Sequence, residues 1–274
     1  MQSSSEIPKC NFIDCSESSQ HSHGTHYYDY CEYHRNGGIF GSGESYEQYQ
    51  IIEQDFIDFI KVVPLEHNHF GVYSPVLRDI IIRTCVQIEI FFKEWGKQEC
   101  SMKTDFPLLT KYNEIGKNGF RKKERNWTIK DYVVFENEFN NRWSAIHVMP
   151  LNEDIFPFEK WTKEKDSLWW WAIYNEIKHG GHKGKKNGTV HAALYTLAAL
   201  FLMHCKNHNS LSYLKKFNLN NIIREGIDTV SVDSGDITTP LDSKKYLFKA
   251  NHTSLSKIEL VTQKQLKDHG KQRI

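Results

Sequence analysis

This chain carries no real excess of either charge. Its 35 Lys and Arg stand against 34 Asp and Glu, a formal net charge of +1. No global field therefore draws it to nucleic acid or to a membrane surface, although a local basic patch stays open. Long apolar runs are missing too. The longest, Ala192 to Met203, is about half the roughly 20 residues that a bilayer-spanning helix needs. The opening MQSSSEIPKC lacks the basic and apolar regions of a secretory signal, so a soluble, cytoplasmic protein with no membrane partner is expected. No phosphate-binding glycine loop, nucleophile elbow or HExxH helix occurs, which argues against those enzyme classes. Internal repeats are absent as well. With 274 residues the chain can still bury a full core, as one large domain or two small ones.

The six cysteines are unevenly spread. Cys85 and Cys205 sit inside apolar helical patterns, where a free buried thiol is ordinary. Cys10, Cys15 and Cys31 instead crowd a segment, residues 1–43, that is rich in Ser, His, Tyr and Gly and ends in the linker-like GGIFGSG. In a cytosolic chain such a cluster points to metal rather than disulfides. Cys10, Cys15, Cys31 and His34 form two close pairs separated by a loop, and one tetrahedral Zn2+ ion can satisfy all four. His21, His23 and His26 are alternatives to His34 as ligand, or are simply solvated. A segment this small needs the metal to fold. The element Tyr30-Cys31-Glu32-Tyr33-His34-Arg35 after a Cys-x4-Cys pair resembles small zinc fingers of phage and bacterial proteins.

The middle of the chain reads as mainly α. Tyr49, Ile52, Phe56, Phe59, Ile60 and Val63 mark one face of a helix from Ser45 to Val63, which Pro64 ends. Ser74 and Pro75 supply an N-cap and a first-turn proline for a long helix reaching Trp95, with Gly96 as its stop. Arg78 and Glu89 lie three turns apart on one edge of its apolar arc, a position that suits snorkelled side chains. The basic cluster Arg121, Lys122, Lys123 and Arg125 is either a solvated loop or a nucleic-acid contact. Thr128 and Asp131 resemble a capping box opening a short helix to about Phe139. Towards the C-terminus, Asp228 to Val232 and Lys245 to Phe248 alternate like short strands, and a frayed charged end follows.

The chain is organised around DSLWWWAIYNEIKHGG, Asp166 to Gly181. Asp166 and Ser167 suit an N-cap, and Gly180-Gly181 a helix stop. At least two of Trp169, Trp170 and Trp171 must be covered, because three exposed indoles are costly. Asn175 and His179 lie one turn apart on one face, as do Tyr174 and Lys178. VHAALYTLAALFLM, residues 190–203, follows as a helix apolar nearly all round. The expected architecture is a helical bundle over 44–210, with the zinc finger at 1–43 and an extension with a short β-ribbon at 211–274.

WWxxYNxxKH after Pro157-Phe158-x-x-Trp161 and before an Ala/Leu-rich helix resembles a group of bacterial helical proteins that are in turn similar to the HEPN superfamily (higher eukaryotes and prokaryotes nucleotide-binding). The resemblance covers roughly residues 45–205. It implies an all-α bundle, commonly a homodimer, of the kind found in ribonuclease toxins and antiviral defence. Active members use an Arg and, a few residues on, a His in metal-independent RNA cleavage. His179 matches that His, and Asn175 the polar residue that usually follows the Arg. At the Arg position itself stands Tyr174, which donates one hydrogen bond and carries no charge. Lys178 points about 100° away from His179 around the helix, which leaves Arg78 or Arg83 to supply the phosphate-balancing charge.

Two functions follow. The first is an RNA-acting, toxin-type or defence enzyme using His179, Asn175, Tyr174 and Lys178. The second is a non-catalytic module that recognises nucleic acid or a protein partner through its finger. A Tyr-Asn-Lys-His helix end favours the first, the missing Arg the second.

Overall fold

The computed structural model describes residues 43–117, 119–136, 144–164, 168–180, 186–207, 210, 214, 241–242 and 247–250. The expected zinc ligands Cys10, Cys15, Cys31 and His34, the caps Asp166 and Ser167, and the strand expected at 228–232 lie outside these residues.

Helix α1, Gly43–Ile60, buries Tyr49, Ile52 and Phe56 as its spacing predicts. Its regular part stops three residues before Val63, and hydrogen-bonded turns carry the chain to Pro64. Proline disfavours helical conformation in the residue before it, and the helix unwinds accordingly.

Helix α2, Pro75–Met102, starts where the sequence places it, with Ser74 Oγ accepting from Val76 N at 3.2 Å. It does not stop at Gly96. A Cβ on Gly96 would lie 2.5 Å from Trp127 Cζ3, so this glycine makes room for an indole against the helix instead of breaking it. Glycine inside a helix costs about 1 kcal/mol against alanine, less than the clash it avoids.

The short helix α3, Pro107–Asn113, follows. Residues Lys123–Asn126 and Asp131–Phe135 then form tight 3₁₀ turns. The capping pair is present: Asp131 Oδ2 accepts from Thr128 N at 2.6 Å and from Thr128 Oγ1 at 2.9 Å. The element it opens begins as a 3₁₀ turn, Asp131–Phe135, and is α-helical at Glu136; the rest of the expected helix, to about Phe139, lies outside the described residues.

Strands β1, Ile146–Val148, and β2, Glu153–Ile155, form a hairpin that no pattern in the sequence signals. Helix α4, Trp169–His179, and helix α5, Val190–Lys206, form the expected helical hairpin. Thr189 Oγ1 caps α5 by accepting from Ala192 N. Every residue of α5 except His191 and Tyr195 is buried, which is why its sequence is apolar nearly all round. Helix α5 runs along α2, and α1 and α4 pack against both. Beyond them, β3, Leu241–Asp242, and β4, Phe248–Ala250, complete an antiparallel sheet in the order β2-β1-β4-β3. Val148 pairs with Phe248, whose ring stacks on Phe201 of α5. The described part of the C-terminal segment therefore shares the bundle's core. Mainly α with a small sheet is the observed class. Among the described residues, no helix is long and apolar enough to cross a membrane.

Candidate functional site

Helix α4 is held by its aromatic N-terminal half. Trp170 and Trp171 are buried, and Trp170 Nε1 donates to Pro157 O at 2.7 Å. Trp169 is only half-covered and packs on His191 and Tyr195. Two indoles are core and one sits at the edge, as three in a row on a helix require.

The polar tip divides by face. Tyr174 is fully buried, and burial, opposed by neighbouring Lys178, pushes its hydroxyl pKa up to about 12. It therefore acts as packing, in reach of α2. Lys178 turns over the Tyr174 ring, 5.1 Å from its centroid, and its Nζ lies 3.2 Å from Glu89 Oε1. Partial burial works against the Lys178 charge, but the Tyr174 hydroxyl and the Glu89 carboxylate outweigh it and raise the pKa. Glu89 thus serves Lys178, not Arg78. Asn175 is half-exposed, and His179, the last residue of α4, is exposed.

Asn175, Lys178 and His179 line one cleft of about 620 Å³, within the size range of small-ligand sites. Helix α4 forms one wall. Helix α2 contributes Glu89 and Lys93. The opposite wall is the stretch Trp127–Lys130 with Tyr132. That wall is pinned at several points. Trp127 lies against Gly96, Trp161 Nε1 donates to Ile129 O at 3.1 Å, and Lys111 Nζ lies 2.7 Å from Asp131 Oδ2.

Among the described residues, three lysines, Lys93, Lys130 and Lys178, and one histidine face the cleft with one carboxylate, Glu89. Glu89 is already paired to Lys178. Lys93 and Lys130 have no acidic partner among the described residues. The described lining of the cleft is therefore basic although the chain as a whole is nearly neutral, and field lines concentrate in such concave, low-dielectric places.

No arginine lines the cleft among the described residues. Arg83 is committed to Asp55 at 2.6 Å and Asp79 at 2.7 Å on the α1 side. Arg78 backs the loop at Gly188, where a Cβ would lie 2.8 Å from the Arg78 Cβ. Neither supplies the charge expected beside His179. Lys122 of the basic cluster pairs with Glu114 at 2.7 Å, as a solvated surface residue does.

Three of the four predicted polar residues thus come together and Tyr174 does not. The residues missed by sequence reasoning are Lys93, Lys130, Trp127 and Tyr132. The Thr128–Asp131 capping signal located the turn that carries Lys130, but nothing in the sequence brought that turn to α4. No family model matches the chain, and no curated protein or solved structure matches it.

Proposed function

We propose that the protein acts on RNA, as a HEPN-like helical protein of toxin-type or antiviral defence. Its cleft holds a phosphodiester, and His179 moves the proton. What supports this reading above all is the meeting of Asn175, Lys178 and His179 with Lys93 and Lys130 around a single cleft.

The chemistry follows from those groups. Phosphate oxygens are met by lysine ammonium groups, which act as point charges without the bidentate geometry of arginine. Asn175 offers an amide to a sugar or phosphate oxygen. His179 takes the proton of a ribose 2′-hydroxyl as that oxygen attacks the adjacent phosphorus, or delivers one to the departing 5′-oxygen. Lysine in place of arginine stabilises the crowded phosphate less well, and that favours the second reading, a module that binds RNA without cutting it.

Affinity for a fluorescent single-stranded RNA, measured by anisotropy, tests the reading. Each neutralised phosphate contributes a slope of about −0.7 to log K against log salt, so Lys93 and Lys130, the two lysines not paired to Glu89, should give about −1.4. Lys93→Ala with Lys130→Ala should weaken binding and flatten that slope. Absence of binding at low salt would overturn both readings.

The zinc finger and the dimer belong to the same proposal. The donor set Cys10, Cys15, Cys31 and His34 suits one structural zinc, whose contribution is to hold that segment folded. Elemental analysis should find about one zinc per chain, and light scattering a dimer mass. A metal-free protein purified without chelator, or a monomer mass at micromolar concentration, would remove the corresponding part.

A further inference from the structure

One carboxylate sits among the cations of the cleft. In the described lining Glu89 alone is acidic, against Lys93, Lys130 and Lys178. It stands near the middle of the unbroken helix α2, Pro75–Met102, so it has no loop on which to swing away. Lys93 lies one turn further along the same helix. Glu89 reaches over to α4 instead, where its Oε1 lies 3.2 Å from Lys178 Nζ.

Stability does not account for this pair. The Lys178 and Glu89 side chains are 41% and 22% exposed, and ion pairs this open contribute little to folding. Lys178 is also held from a second side, with Nζ 5.1 Å from the centroid of the Tyr174 ring. The charge of Glu89, meanwhile, is felt on both sides of the cleft. Burial raises the pKa of the Tyr174 hydroxyl on α4 and of the Tyr132 hydroxyl on the opposite wall, and the Glu89 carboxylate adds to both rises. An anion entering between these walls meets the same carboxylate.

A carboxylate and a phosphate compete for an ammonium group through the same charge-assisted hydrogen bonds. Glu89 is already in place beside Lys178, and a tethered competitor acts at high effective concentration. We propose that Glu89 is an affinity-setting residue, which keeps Lys178 from the ligand so that the cleft grips RNA by two phosphates, through Lys93 and Lys130, and not by three. This role rests on the proposed RNA reading and adds to it the strength of the grip. A grip limited in this way lets a cleaved strand leave, and product release limits the turnover of many enzymes.

Salt titration of Glu89→Gln beside the wild type, with the same fluorescent single-stranded RNA, tests the role. Glutamine keeps the shape of the side chain and an oxygen for Lys178, and removes the charge. The variant's slope should be steeper by about 0.7, the contribution of one further phosphate. The two lines should meet near 1 M salt and stand about eightfold apart near 50 mM, with the variant binding more tightly. Glu89→Gln combined with Lys178→Gln should lose that gain, because the released ammonium is gone. An unchanged slope in Glu89→Gln would overturn the role. So would a gain that survives in the double variant, since the carboxylate would then act by repulsion alone. In either case the RNA reading stands. If neither the wild type nor Glu89→Gln binds RNA at low salt, both fall.

Discussion

RNA cleavage by the His179→Ala protein is expected to fall by about 10²–10⁴, the usual cost of removing a general acid or base, with the melting temperature almost unchanged. The expectation follows from placement. His179 ends α4, is exposed, and borders the cleft beside Asn175. Its structural contribution there is that of a cation near a helix C-terminus, up to about 1 kcal/mol when protonated. Fold and function are therefore separable at this position. Lys178→Ala should cost far less activity, because its ammonium is shared with Glu89 and the Tyr174 ring. Stability should change by about 0–1 kcal/mol, as for exposed ion pairs. Cleavage and melting temperature measured on the same preparations separate the two roles. Full cleavage by His179→Ala would end the catalytic reading and leave the binding module.

Trp170→Ala should behave in the opposite way, losing about 3–5 kcal/mol of stability. The indole is fully buried, packs edge-on against Phe158 at 5.8 Å and against Trp171 at 5.7 Å, and donates to Pro157 O. Truncation removes that burial, leaves a cavity between α4 and the Pro157–Trp161 segment, and orphans a backbone carbonyl. At about 2–4 °C per kcal/mol for a chain of this size, the melting temperature should drop by about 6–20 °C. Trp169→Ala is the control. Its side chain lies half-covered against His191 and Tyr195, so its loss should be clearly smaller. Equal melting temperatures for wild type and Trp170→Ala would mean that α4 is not anchored through this residue.

How much could be read from residues alone varied with distance along the chain. Ser74-Pro75 set the start of α2 because capping is local chemistry. Gly96 does not mark its end, because the reason for that glycine, Trp127, lies 31 positions further on. The hairpin of β1 and β2 was not legible because three-residue strands give period-two alternation too little length to register. Within the site, the face of α4 carrying Asn175 and His179 was legible from helical spacing. The other walls were not, since Glu89, Lys93 and Lys130 meet α4 only through the packing of the bundle. Tyr174 departs from its expected role for a related reason: spacing puts it beside Lys178, but only packing shows that it points into the core.

The uninterrupted course of α2 past Gly96 has a consequence for what the cleft can admit. One rod carries Glu89 and Lys93 into the cleft and then, at Gly96, seats the indole of the opposite wall. At about 1.5 Å per residue, the seven steps from Glu89 to Gly96 amount to about 10 Å. The spacing between the Lys178–Glu89 pair and Trp127 is thus ruled by the pitch of a single helix, not by a hinge. A broken helix at Gly96 would have let the walls part; an intact one makes the cleft a gauge of fixed bore.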